Sequence, residues 1–246
     1  MGREFLYQFY GQVASIIVSQ LRFKAALISL AMVAVLPAYF ALVFGLSGEE
    51  LGVVLTGAIV SPAVWINSAM VQDILYEREN YRYLEMLIAS PLRPVIYVLS
   101  RITASIILSV STVIPFTIIY VYVTGAYMAV PLALALTLLV SIFLAPISIL
   151  SGLKLKSIKE ASSMPTLLGA LLVFLPPVYY TPWLLPEWLR LPATAIPSAT
   201  AAEIVRATSI NGYHPVIDPR AMITYLLALS TASLLLLYYR FNWSLE

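Results

Sequence analysis

Six stretches of this chain carry enough consecutive apolar residues to cross about 30 Å of hydrocarbon as a helix, which takes roughly 20 residues. They run from about Ala25 to Phe44, Leu51 to Gln72, Ile102 to Val123, Val130 to Gly152, Met164 to Tyr180 and Ala221 to Tyr239. The runs are long and lack a two-residue alternation, so helices are predicted rather than strands. Asp218-Pro219 reads as an N-cap followed by proline at the first helical position, and Ser163 is placed to cap the fifth span. Ahead of the first span, Leu6, Tyr10, Val13, Ile17 and Leu21 recur at helical spacing between polar residues. That pattern predicts a helix over residues 1–24 lying in the membrane surface. Gln8, Gln12 and Gln20 interrupt it, and no small-residue cleavage site is evident, so a cleavable signal is not expected.

Composition agrees. Of 246 residues, 61% are hydrophobic and 11% charged, with a mean hydropathy of +0.92. A soluble domain carries about 25% charged residues. The expected fold class is therefore an all-α membrane protein of one domain, residues 1–246, in contact with the lipid bilayer. The net charge of +2 gives no reason to expect nucleic acid as a partner. There is no cysteine, which excludes disulfides, thiolate nucleophiles and Cys-ligated metal.

Placement of the basic residues orients the spans. Arg22 and Lys24 precede span one, Arg78, Arg82, Arg93 and Arg101 lie between spans two and three, Lys154, Lys156 and Lys159 between four and five, and Arg240 after six. The short loops at 45–50 and 124–129 hold neither Lys nor Arg. The positive-inside rule then puts both termini in the cytoplasm of a multi-pass protein of the cell (plasma) membrane. The long outer segment at 181–218 departs from the rule, with Arg190 and Arg206 inside it and Arg220 just after.

The segment from Asp73 to Arg101, with a coupling loop expected over 73–95, is unusually charged. Tyr76, Tyr83, Leu84, Leu87 and Ile88 fall on one helical face, and Arg78, Arg82 and Glu85 on another, with Arg82 and Glu85 spaced to pair. Ser90-Pro91 ends the helix and Pro94 restarts the chain toward span three. A short amphipathic helix between two spans can serve as a lug gripped by a soluble partner. It can equally be a solvated loop that satisfies the positive-inside rule.

This segment resembles the cytoplasmic loop of ABC-2 type transporter permeases, whose pattern is E-R-E-x-G-T-L-E-x-L-L-x-S-P. Glu77, Arg78 and Glu79 match its start, and Leu84, Glu85, Leu87, Ser90 and Pro91 its end. The chain is one residue longer between the halves, with Tyr81, Arg82 and Tyr83 where Gly-Thr is usual. A second likeness follows span five: Leu185-Pro186-Glu187-Trp188-Leu189, then Pro197, Thr200, Glu203 and Arg206, similar to the family's L-P-x-W-L and P-x-T-x-x-x-E-x-x-R patterns, with Thr200 one residue later than the second pattern places it. The resemblance implies re-entrant outer helices, a second permease copy or a paralogue beside this one, and a separate ABC ATPase subunit that binds ATP and Mg. It makes Glu77, Arg78, Arg82, Leu84, Glu85, Leu87, Ser90 and Pro91 the expected contacts to that motor. Among them Arg82 and Glu85 would be polar contacts and Leu84 and Leu87 packing residues.

Read from the residues alone, Pro176-Pro177 breaks span five, and a break at membrane depth must face protein or a water-lined path. Tyr179, Tyr180 and Trp183 suit an outer aromatic belt, and Thr200-x-x-Glu203 has the spacing of a capping box. Polar rows on spans two and three serve helix packing or line a substrate path. The family likeness points to the second role for Thr56, Asn67 and Tyr179.

No phosphate-binding loop occurs, so ATP hydrolysis would fall to another chain, and no cofactor is expected on this one. His214 stands alone, which argues against a metal site. No charged residue falls near the middle of any predicted span, which counts against a proton-driven carrier. The expected function is an exporter permease, itself not an enzyme. An ATP-independent channel or secondary carrier is the alternative; a membrane-embedded enzyme or a purely structural membrane protein is a weaker fit.

Overall fold

The computed structural model describes residues 2–22, 32, 35–37, 39–79, 83–155 and 157–241, with backbone alone at 2, 158, 160 and 161. Every regular element among them is helical. Helix α1 spans Gly2–Arg22, α2 Gly48–Glu79, α3 Tyr83–Ala89, α4 Pro94–Thr124 and α5 Ala129–Lys154. Helix α6, Ile158–Gly169, runs on into a π turn, Ala170–Phe174. A 3₁₀ turn, Pro182–Leu184, precedes α7, Glu187–Thr194, α8, Pro197–Ser209, and α9, Pro219–Arg240.

Four of these, α2, α4, α5 and α9, are long and apolar enough to cross a membrane. They enclose the predicted second, third, fourth and sixth spans. Half of the first predicted span lies outside the described residues. The fifth is corrected: its helix ends at Phe174, before Pro176-Pro177, because two adjacent prolines supply no backbone donors. Ser163 does not cap that helix. It sits inside α6, where its hydroxyl donates to the Lys159 carbonyl. The Asp218 cap is present, its carboxylate accepting from the Arg220 backbone N–H at 2.7 Å.

Helices α2, α4 and α5 pack on one another at the centre, with α6 against α2, α9 against α5, and α1 against α4. Helix α8 is wedged among α2, α5 and α9 and is buried from Ser198 to Arg206. Apolar side chains on α4 and α9, such as Ile114, Ile118, Leu234 and Leu235, face outward. A surface of this kind has lipid as its solvent, and the chain is a multi-pass membrane protein. Most buried hydroxyls bond to carbonyls of their own helix, as Ser105, Thr117 and Thr137 do. On α9, Ser230 and Ser233 reach across to carbonyls of Leu139 and Ile142 on α5.

Helix α1 uses a different face from the one its apolar spacing indicates. Leu6, Tyr10 and Leu21 are exposed, and only Val13 of that stripe is buried. Phe5 and Phe9 pack inward instead. The glutamines are attachment points: Gln12 donates to the Tyr83 hydroxyl at 3.4 Å, and Gln20 donates to the Asp73 carboxylate.

Candidate functional site

The 73–95 segment is shorter as a loop than its charge pattern indicates. Helix α2 continues to Glu79, since Ile74 and Leu75 are fully enclosed and nothing in the sequence stops the helix there. The face from Tyr76 to Ile88 is therefore divided between the end of α2 and the separate helix α3. Arg82, with its expected pairing to Glu85, falls outside the described residues.

Helix α3 ends where Ser90-Pro91 predicts. The Ser90 hydroxyl donates to the Leu87 carbonyl at 2.7 Å and accepts from the Leu92 N–H at 3.3 Å, so it serves two backbone groups left over by the stop. Pro91 is exposed beside it. Leu84 and Leu87, read as packing residues, pack within this chain. They are buried with Leu92, Ile96 and Tyr97, against Phe5 and Phe9 of α1. The outward face of α3 consists of Glu85, Met86 (59 % exposed) and Ala89.

The helices behind α3 are joined by polar contacts. Glu77 pairs with Arg101 of α4 and accepts from the Tyr97 hydroxyl at 3.4 Å, and the Arg101 guanidinium lies 5.4 Å from the Tyr97 ring centre. Arg78 donates to the carbonyls of Leu153 and Leu155 at the end of α5, and pairs with Glu79 at 2.9 Å. A helix C-terminus presents unpaired carbonyls and a partial negative charge, and a guanidinium answers both. The α3 end of the bundle thus ties α1, α2, α4 and α5 together.

A second polar cluster lies at the opposite end. Arg206 of α8 is fully buried and donates to the Thr56 hydroxyl at 2.9 Å, the Pro177 carbonyl at 2.8 Å, the Val178 carbonyl and, at 3.4 Å, the Val53 carbonyl. Glu203, also fully buried, lies 3.6 Å from it and accepts from the Tyr213 hydroxyl at 2.7 Å and the Val216 N–H at 3.3 Å. Burial raises the Glu203 carboxyl above the ordinary range, against the lowering effects of Tyr213 and Arg206. Thr200 and Glu203 therefore form no capping box: the helix begins at Pro197, and the Thr200 hydroxyl donates to Thr194 and Ile196 carbonyls.

Of the three residues read as path-lining, two meet at this cluster. Thr56 accepts from Arg206, and the Tyr179 hydroxyl donates to Ser61 at 2.9 Å. Tyr179 is thus no part of an aromatic belt; its ring lies directly over Gly57, where a Cβ would overlap it. Asn67 is eleven residues beyond Thr56 on α2, about 16 Å along the axis. It is buried and donates to the Ala63 carbonyl at 2.7 Å. Trp183 remains at the surface, donating to the His214 carbonyl at 2.9 Å.

No curated protein matches the chain. The family model for the ABC-2 type transporter matches residues 7–210, from the first helix to the end of the buried α8. That match covers most of the sequence and takes in the central helices, the first polar cluster and, apart from Tyr213 and Val216, the second. On that match and the exposed apolar helices, the chain belongs to the ABC-2 type transporter family and is a membrane permease subunit of an ATP-binding cassette transporter.

Proposed function

We propose that this permease is half of an exporter and is driven by a separate ATPase that grips α3. Two copies of the chain, or one copy and a related chain, form the substrate path, and ATP and Mg bind on the motor. The basic α3 end faces the cytoplasm of the plasma membrane, with both termini on that side. Permeases of this family generally work with an ATPase partner.

The observation that carries the reading is the construction of α3. Its apolar face is fixed to α1 and α4, and Glu85, Met86 and Ala89 are presented outward. Immediately behind it, Glu77 and Arg78 hold α4 and α5. A push on the outward face passes through its packed apolar face to α1 and α4, which suits a rigid-body switch between access states.

The test is co-purification with a cognate ATPase, followed by ATP hydrolysis of the complex in nanodiscs. Glu85→Arg combined with Met86→Asp should abolish co-purification while leaving the thermal unfolding midpoint of the permease unchanged. Undiminished binding of the motor by that variant would overturn the placement of the contact. Flux that continues without ATP and without the motor would favour an ATP-independent channel or carrier.

A further inference from the structure

We propose that Arg206 is a rivet that fixes α8 and the broken end of α6 to α2, so that these parts move as one body during the cycle. The proposal rests on the permease reading above and extends it to the end of the molecule farthest from the motor.

The broken end of α6 leaves carbonyls that no following helical turn can satisfy. Several have side-chain partners. Leu172 accepts from the Ser198 hydroxyl of α8, Leu175 from the Tyr180 hydroxyl at 2.7 Å, and Pro177 and Val178 from the two terminal nitrogens of Arg206. The same guanidinium turns its Nε to Thr56 on α2. One side chain rooted in α8 therefore holds α2 and the α6 end together.

Two further ties join the same three parts. Ser198 links α8 to α6, and Tyr179 links the α6 end to α2 through Ser61 and through contact with Gly57. Glu203 secures the segment after α8 by accepting from Tyr213 and Val216.

A latch must open cheaply, and this arrangement cannot. Separating α8 from α2 would break the bonds of Arg206 to the Thr56 hydroxyl and the Val53 carbonyl and leave a buried cation short of partners. A rigid joint fits the geometry and a switch does not. Helix α2 is one continuous helix from Gly48 to Glu79, through Pro62, with Glu77 and Arg78 at one end and Val53 and Thr56 at the other. Displacement of its α3 end is thereby delivered to α8 along a single helix.

The chain has no cysteine, so introduced ones report without background. Spin labels at Glu50→Cys on α2 and Thr208→Cys on α8, both exposed positions, follow the joint. Labels at Glu50→Cys and Tyr122→Cys, on α2 and α4, follow motion between spans. Distances are measured by pulsed electron resonance in the permease–ATPase complex, nucleotide-free and trapped with ATP, Mg and vanadate.

The expected result is a Glu50–Tyr122 distance that shifts on trapping and a narrow Glu50–Thr208 distance that does not. In Arg206→Met the Glu50–Thr208 distribution should broaden and become nucleotide-dependent. If that variant does not fold, Thr56→Val, which removes one acceptor, should broaden it to a smaller degree. A Glu50–Thr208 distance that shifts with nucleotide in the unmodified background would overturn the rivet, and so would a narrow, invariant one in the Arg206 and Thr56 variants. If a complex forms but neither pair responds, the permease reading itself fails and takes the rivet with it.

Discussion

Glu77, near the end of α2, and Arg101, two turns into α4, form an ion pair in which Arg101 is almost wholly enclosed, with its side chain 3 % exposed. Asp73, one turn earlier on α2, adds a second carboxylate to the same electrostatic group. Three charges at the edge of an apolar bundle are tolerated only because they answer one another, so the two spans are held in register by mutual need. The consequence is asymmetric. Removing Arg101 strands both carboxylates, whereas removing Arg101 and Glu77 together leaves only Asp73, which Gln20 still bonds.

Arg101→Ala should therefore destabilise the protein by about 3 kcal/mol, the lower end of the range for breaking a buried pair, because Glu77 is partly exposed. Arg101→Met combined with Glu77→Gln should recover part of that loss, since Asp73 still lacks its cation. Thermal unfolding in detergent micelles measures both. A double variant no more stable than Arg101→Ala would show that packing around Arg101, not charge pairing, sets the cost.

Arg78 gives a second, independent expectation. Its fork reaches two carbonyls at the end of α5, a geometry that a single ammonium cannot reproduce. Arg78→Lys should cost about 1.5 kcal/mol, the low end of the range for hydrogen bonds to a charged group. It should also raise amide hydrogen exchange in the last turn of α5 while leaving α4 unaffected. Equal change in both helices would mean that Arg78 supports the bundle generally and not the α5 terminus.

The crossing helices were legible because hydropathy over some twenty residues is a local property, and Pro94 and Asp218 mark their starts by local chemistry. The joints between helices were not. Arg206 stands out in the sequence chiefly as an exception to the charge rule, because its acceptors at Pro177 and Val178 are backbone atoms that carry no residue signature. Glu203 has the spacing of a capping box, and only the start of α8 at Pro197 shows that its partners lie after the helix instead. Gln12 and Gln20 read as breaks in an apolar stripe, yet they are the groups that bond α1 to Tyr83 and Asp73. The signal that could have found Arg206 is the pair of prolines: a helix broken at membrane depth needs donors, and a lone arginine on the next buried helix supplies several.

Gly57 is required by the close approach of Tyr179. A methyl group at that position would overlap the aromatic ring. Gly57→Ala should push the ring aside, break the bond to Ser61 and cost about 1–3 kcal/mol, the range for overpacking. Gly57→Ala combined with Tyr179→Ala should be less destabilised than the sum of the two single variants, since the second change removes the obstruction. Unfolding midpoints of the three variants decide it, and strict additivity would rule out contact strain as the cause.

Adjacent residues on α3 separate its two faces. Leu87 is 7 % exposed and packs with Leu84, Ile96 and Tyr97, whereas Met86 is 59 % exposed. An aspartate at 87 buries an unpaired carboxylate in an apolar cluster, and one at 86 stands in solvent or against a partner. Leu87→Asp should accordingly lower the unfolding midpoint of the isolated permease, by several degrees for a loss of about 2–4 kcal/mol in a chain of this size. Met86→Asp should leave that midpoint where it was and weaken association with the ATPase. The two variants differ by one position and bear the same charge, so a general effect of added acid would move both alike. If Met86→Asp destabilises the isolated chain as much as Leu87→Asp does, then α3 has no free face, and the motor must take its hold elsewhere.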